Sequence, residues 1–306
     1  MTFAGAVLLI VNPIAGRRRR GLVEAVARLV RAEGWTVDVV ETAAAGDARR
    51  FALECDAARY AAIAVAGGDG TINEVVNGLS SRDGDAPPVA IIPLGTANVL
   101  ARELGLGFSA AAVAASIVAG RALAMRPGAA SMDGAARHFS LMAGAGFDAH
   151  VVAGVSATLK RRWGKIAYVW RSMVEASRYR PVRYLVEIDG QRYEAASVIV
   201  TRGRLYAGPY VVAPLASLAD PRLHVCLFER WGRWQPLRFG AALVLGRLPS
   251  VSGYRVIAGS DVRIAVAGDG VQERRQPLQI DGDDALTLPV SIALAARSVR
   301  LLRPAV

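Results

Sequence analysis

The sequence predicts two domains of different class: a three-layer α/β domain with a parallel sheet over residues 1–127, then an all-β sandwich over residues 128–306. Two observations predict this. In the first half, short apolar runs of strand length alternate with stretches of helical periodicity, the pattern of a parallel sheet with crossover helices. From about residue 128 onward, short β-type runs succeed one another with turn signals between most of them, the pattern of an antiparallel sandwich or barrel. A length of 306 residues agrees with two domains. Met125–Gly128 is the expected boundary, and the last residues are free to return to the first domain.

Element by element, Ala6–Val11 reads as a buried strand followed by a loop and a helix over Leu22–Ala32. Thr36–Val40, Ala61–Ala66 and Val89–Ile92 read as further strands, and Ala48–Ala58, Thr71–Leu79 and Ala97–Leu104 as helices. The uncharged stretch Leu104–Gly120 is 17 residues long, but its Ala, Gly and Ser content reads as a packed helix and not a membrane span. In the second half the β-type runs are Phe139–Ala143, Tyr184–Ile188, Ala196–Thr201, Leu223–Phe228, Tyr254–Ala258, Val262–Val266 and Gln279–Ile280. Asp189-Gly190, Asp220-Pro221, Gly268-Asp269-Gly270 and Asp281-Gly282 supply turns. A helical insert over Leu159–Ser177 interrupts this pattern.

Composition narrows the function classes. With 53% hydrophobic and 21% charged residues the chain builds cores and is not disordered. Two cysteines, Cys55 and Cys226, exclude a disulfide scaffold and suggest a reducing compartment. The three histidines form no zinc-type cluster. The net charge of +11 comes almost wholly from arginine, with Lys160 and Lys165 the only lysines, and it favours an anionic partner. No basic-then-apolar leader opens the chain, so the expectation is a cytoplasmic protein that meets a membrane from the side, at its inner face.

The chemistry concentrates at strand ends in the first half. Ala64–Asn73 ends a buried strand, surrounds one aspartate with three glycines and starts a helix near Thr71. Glycines let backbone N–H groups approach a phosphate, and the helix N-terminus adds partial positive charge. Asp69 stands where phosphate or a phosphate-bound magnesium would lie, able to hold the metal or orient the transferred group. The run is neither a Walker A loop nor a GxGxxG fingerprint. Asn12–Gly16 and Pro93–Asn98 end two further strands, and in a parallel sheet all such ends face one edge, the usual ligand crevice. Asn12, Thr96 and Asn98 offer hydrogen bonds there. Arg17–Arg20 follows the first loop, opposes the helix dipole, and suits phosphates or an anionic membrane. Trp163, Tyr168 and Trp170 lie within the basic stretch Lys160–Arg171, which also suits a membrane interface. No nucleic-acid recognition motif accompanies the charge, and no nucleic-acid partner is expected.

Asn12–Gly16, Gly67–Glu74 and Pro93–Asn98 together resemble the diacylglycerol kinase catalytic domain, in its bacterial lipid kinase branch. The resemblance continues through Gly144–Ala149 (the family's Gly-Phe-Asp-Ala segment), Lys160–Tyr168, Tyr206–Pro214 and Gln279–Asp283, and so covers nearly the whole chain in the family's order. It implies an α/β nucleotide-binding domain paired with a β-sandwich lipid-substrate domain, with the active site in the cleft between them. It also implies transfer of the γ-phosphoryl group of ATP to a lipid hydroxyl with magnesium. Carried to this sequence, Asn12, Pro13, Ile14, Ala15, Gly16, Thr42, Gly67, Gly68, Asp69, Gly70, Thr71, Ile72, Asn73 and Thr96 would bind ATP. Asp281 or Asp283 would take the hydroxyl's proton, and a second, structural magnesium would sit on Asp220 with backbone carbonyls near Ser217 and Arg222.

The sequence departs from the family at three places. Asp283 stands for the family's Glu, which shortens its reach and makes Asp281 the safer base. Asp220-Pro221 and His224 stand for an Asp-Gly and a second acid in the metal loop. Arg126-Pro127-Gly128 stands for Asp-Leu-Gly at the junction. The expected partners are a lipid alcohol and an anionic membrane surface, and a homodimer is left open. The rival readings are an NAD kinase-like phosphotransferase and a non-catalytic lipid- or nucleotide-binding protein.

Overall fold

Apolar runs buried on both faces make the middle of the first sheet, β1 (Ala6–Val11), β3 (Ala62–Gly67) and β4 (Val89–Pro93), and the half-exposed β2 (Thr36–Glu41) makes its edge. Every residue of β3 and β4 is buried, as a parallel strand covered by helices on both sides requires. The molecule is described from a computed structural model over residues 5–15, 19–147, 149, 182–232, 234–267 and 276–305. The Leu159–Ser177 insert, the aromatics of Lys160–Arg171, Gly16–Arg18, Asp148 and the Gly268–Gly270 turn lie outside the described residues. Two compact units result, Met1–Pro127 with Ala295–Val306, and Gly128–Leu294.

In the first unit the strand order is β2-β1-β3-β4-β20-β5, with β5 at Ala122–Met125 and β20 at Val299–Leu302. Strands β1 to β4 and β20 run parallel, and β5 alone is antiparallel. Helices α1 (Arg20–Ala32) and α5 (Ala110–Ala119) bury Val26, Ala27, Val30, Val113 and Ile117 in one core with β1, β3 and β4. Helices α2 (Asp47–Glu54) and α3 (Asp69–Ser80) pack together and bury Ala48, Ala52, Ile72, Val75 and Val76. The short helix α4 is Val99–Glu103; Asn98, with φ 47°, stops the expected helix from starting at Ala97. The order 2-1-3-4 places a topological switch point between β1 and β3.

The second unit is a sandwich of two six-stranded antiparallel sheets. One is β10 (Gln191–Ala195), β9 (Tyr184–Ile188), β16 (Asp261–Val266), β19 (Val290–Leu294), β6 (Gly128–Met132) and β7 (Ala135–Phe139). The other is β15 (Tyr254–Gly259), β14 (Leu223–Phe228), β11 (Ser197–Thr201), β8 (Met142–Ala145), β17 (Pro277–Ile280) and β18 (Asp283–Thr287). Their inner faces share a core of Phe139, Tyr184, Val186, Val198, Val200, Leu223, Val225, Ile264, Leu278 and Ile292. A ribbon of β12 (Leu205–Tyr206) and β13 (Tyr210–Val211) and a helix α6 (Gln235–Val244) are added to it. The α/β class of the first unit and the antiparallel sandwich of the second are those the sequence predicts.

Candidate active site

The loops after β1, β3 and β4 are hydrogen-bonded into one rim at the switch point. The Asn12 side chain organises the first loop: its Oδ1 accepts from the N–H groups of Ile14 (3.0 Å) and Ala15 (3.2 Å), and its Nδ2 donates to Thr71 Oγ1 at 2.9 Å. Leu94 N donates to Gly67 O at 3.0 Å, and Arg19 donates to Pro93 O at 3.1 Å. Thr42 follows β2 and donates its N–H to Val11 O. Thr96 and Gly70 are exposed at this edge, while Thr71 and Asn73 are buried in the first turns of α3.

Glycine is required where two of these loops meet. A Cβ on Gly95 would stand 2.7 Å from Gly68 Cα and 2.8 Å from Asn98 Oδ1, and one on Gly67 would stand 2.6 Å from Thr71 Cβ. Bare backbone at Gly68 and Gly95 is what lets the two loops approach this closely. Asn98 donates from Nδ2 to Gly95 O at 2.8 Å, and among the described residues its buried Oδ1 has no hydrogen-bond partner.

Asp69 is the first residue of α3 and is partly buried. Its Oδ1 accepts from Leu100 N at 3.2 Å, so the carboxylate lies at the starts of both α3 and α4. Burial pushes its pKa above the usual carboxylate value, and hydrogen bonds from the Leu100 and Val99 amides offset only part of that. Among the described residues no group of three or more His, Cys, Asp or Glu could hold a metal ion. A magnesium ion carried on a nucleotide needs one or two carboxylates with waters and phosphates completing its shell. Asp69 fits that demand. Beside Asn12, Pro13 and Ala15 a groove of about 500 Å³ runs along α1 between Val23, Ala27 and Val39, and it includes none of Gly67–Asn73.

In the second unit the two candidate bases differ in kind. Asp281, with φ 48°, and Gly282, with φ 87°, form the tight turn between β17 and β18. Both carboxylate oxygens of Asp281 are held by backbone: Oδ2 by Ser140 N at 2.7 Å, Oδ1 by Leu141 N at 3.0 Å and Met142 N at 2.8 Å. Asp189, at the matching turn between β9 and β10, does the same, accepting from Ser260 and Asp261 amides at 3.0 and 2.9 Å. Asp281 thus repeats a structural device of this sandwich. Asp283, two residues on, is exposed at the start of β18.

The loop expected to carry a structural magnesium is already occupied by a cation of the chain itself. The side chain of Arg202, 0% exposed, donates to the carbonyls of Leu218 (2.9 Å), Asp220 (2.8 Å) and Arg222. The carbonyl of Ser217 accepts from Asp220 N at 3.0 Å. The Asp220 carboxylate accepts from Arg222 N at 2.9 Å and meets His224 Nε2 at 3.1 Å. Burial would raise the Asp220 pKa, but the hydrogen bonds from Arg222 and His224 outweigh it and hold the carboxyl below its usual value. Magnesium needs oxygens near 2.1 Å in octahedral array, and the carbonyls of Asp220 and Arg222 point at a guanidinium instead. The residues Ser217, Asp220 and Arg222 do not fit the metal. Sequence reasoning missed Arg202, because an arginine at a strand end reads as solvent-exposed.

Comparison with known proteins gives the class. Residues 6–130 match the diacylglycerol kinase catalytic domain, and residues 142–303 match the YegS C-terminal NAD kinase beta sandwich-like domain. The chain is 29% identical over 301 residues to the diacylglycerol kinase of Bacillus subtilis (strain 168), covering 97% of this chain and 95% of that one. It is 31% identical over 205 residues to the "Probable lipid kinase YegS" of Shigella flexneri, covering 65% of this chain and 67% of that one. A crystal structure of a diacylglycerol kinase from Bacillus anthracis str. Sterne superposes with a TM-score of 0.74 at 25% identity, over 99% of this chain and 98% of that one. Fold and matches together define a lipid kinase. Within that class the chain belongs to the diacylglycerol kinase catalytic-domain family, in its bacterial lipid kinase branch.

Proposed function

We propose that the protein transfers the γ-phosphoryl group of ATP to the hydroxyl of a diacylglycerol-like lipid, acting from the cytoplasm on an anionic membrane surface. The observation that carries the nucleotide part is the rim in which three strand-end loops are tied together at the switch point of a parallel sheet. Asn12–Gly16, Thr42, Gly67–Asn73 and Thr96 are the residues we assign to ATP. The backbone amides and the start of α3 hold the phosphates, and Asp69 orients them. Magnesium, when bound with the nucleotide, neutralises charge on the transferring group. In the second unit, Asp283 accepts the hydroxyl proton as the lipid oxygen bonds to the γ-phosphorus and the bond to the leaving ADP oxygen breaks. Asp281 holds the turn that carries Asp283. Among the described residues no helix is long and apolar enough to cross a membrane, which agrees with peripheral action. Incubation with γ-labelled ATP and parallel acceptors tests the reading: a labelled lipid from diacylglycerol or a total lipid extract is expected, and labelling of NAD with none of the lipids would overturn it.

Asp69 gives a pH-dependent prediction. Its folded-state pKa is raised, so the folded state binds the proton more tightly and loses stability as pH rises from 3.8 through the raised value. Asparagine does not titrate and keeps an oxygen for Leu100 N. In EDTA and without nucleotide, Asp69→Asn is expected to be at least as stable as the wild type near neutral pH, with the two converging as pH falls toward 3.8. Turnover of the same variant is expected to fall about 10²-fold. Urea midpoints across pH and a kinase assay check the two halves, and wild-type turnover would remove Asp69 from the site.

A further inference from the structure

We propose that the outer face of α6 is the surface by which the second unit docks on an anionic lipid bilayer. The helix is apolar on both its inner and its outer side. Its inner side buries Phe239 and Ala242, with the Phe239 ring edge-on to Phe228 at 5.1 Å between centroids. Its outer side exposes apolar residues at helical spacing: Trp234 at 66%, Leu237 at 42%, Val244 at 61% and Leu245 at 70%, with exposed Ala241 between them. Trp231, 42% exposed, precedes it. An exposed surface that gathers two tryptophans and three large aliphatics on and around one helix is an interaction site and not a scatter of single exposed residues.

Charge selects the occupant. Residues 230–260 contain five arginines and no Asp or Glu. Arg238, exposed on the helix, is steadied by Gln235 Oε1 at 3.2 Å, and Arg230, at the strand end before it, by Ser252 Oγ at 3.0 Å. An apolar stripe opened by tryptophan, in a stretch of sequence whose charged residues are all arginine, matches the interior boundary and phosphate layer of an anionic leaflet, the composition of helices that lie in the membrane interface. Such a helix would bring the sandwich to the place where a lipid alcohol resides. The docking inference therefore rests on the lipid-kinase reading for its purpose, but its physical basis is independent of turnover.

The test is co-sedimentation of the full chain, without ATP, with vesicles of phosphatidylcholine alone or mixed with phosphatidylglycerol. The expected result is binding that requires phosphatidylglycerol and weakens with salt. Trp234→Ser/Leu237→Ser and Arg238→Glu/Arg247→Glu, the latter including the exposed arginine just past the helix, are each expected to weaken it about tenfold or more. Phosphorylation of a lipid alcohol offered in non-ionic detergent micelles should stay at the wild-type rate in both variants. Vesicle binding by both variants equal to wild type would overturn the inference, as would a wild-type dimer in solution that these substitutions split. If the wild type binds vesicles through this face yet labels no lipid, the docking surface stands and the kinase reading falls.

Discussion

Asp283→Asn is expected to lower kcat by about 10²- to 10⁴-fold, the usual worth of a positioned proton acceptor, while stability changes by no more than about 0.5 kcal/mol. The side chain is exposed at the start of β18, so its replacement by an isosteric amide opens no cavity. Asp281→Asn is expected to do the opposite. Its two oxygens answer three backbone N–H groups, of Ser140, Leu141 and Met142. An amide in its place turns an NH₂ group toward at least one of those donors. The cost is about 2–3 kcal/mol of second-unit stability, since hydrogen bonds to a charged group are each worth about 1.5–3 kcal/mol. Activity measured on the folded fraction should then exceed that of Asp283→Asn by an order of magnitude or more. Chemical denaturation and steady-state rates on the same two preparations decide it. Full activity in Asp283→Asn with none in stable Asp281→Asn would return the base to Asp281. The longer reach of a glutamate is a further handle: Asp283→Glu should retain turnover where Asp283→Asn does not.

These two aspartates show where a sequence can be read and where it cannot. The turn itself was legible: Asp281-Gly282 follows a β-type run, and positive φ at both residues is what such a dipeptide favours. What the carboxylate grips was not legible, because Ser140 to Met142 lie about 140 positions away along the chain. The parallel core was legible for a different reason. β1, β3 and β4 are buried on both faces, so their composition is nearly pure Ala, Val, Ile and Leu, and the meeting of their loops at one edge follows from parallel topology alone. β20 escaped because its four residues join β4 and β5 only after the chain has crossed the whole sandwich. β6 and β7 escaped because half of their ten residues are Ala or Gly, which are depleted in strands. Helix α6 escaped because it is apolar on its outer face as well as its inner one, which erases the polar-apolar rhythm that marks a surface helix.

Arg202→Met is expected to cost about 3–5 kcal/mol, because it removes hydrogen bonds from a charged group to three carbonyls, each worth about 1.5–3 kcal/mol. The guanidinium is 0% exposed and its donors meet the carbonyls of Leu218, Asp220 and Arg222. Without it those carbonyls face an apolar side chain with no donor, and the buried Leu218 carbonyl carries a penalty of about 1–3 kcal/mol. Arg202→Lys should fall between the two, because a point-like ammonium cannot fork to three carbonyls on a rigid plane. The same geometry predicts the metal response. In the absence of nucleotide, the denaturation midpoint of the wild type should be the same in magnesium and in EDTA, since the cation that this loop needs is covalently part of the chain. Arg202→Ala, which empties the space while leaving three carbonyls and the nearby Asp220 carboxylate, creates an all-oxygen set of the kind hard cations prefer, and this variant should regain stability as magnesium is added. A wild-type protein that gains several degrees from magnesium alone, or an Arg202→Ala protein indifferent to it while Arg202→Met is as stable as wild type, would mean that the guanidinium does not take the cation's place. The physical logic is economical: a divalent ion must be captured from solution and dehydrated at each folding event, whereas an arginine five residues from the tip of the β12 turn arrives with β11 and needs only a cage of carbonyls to bury its charge.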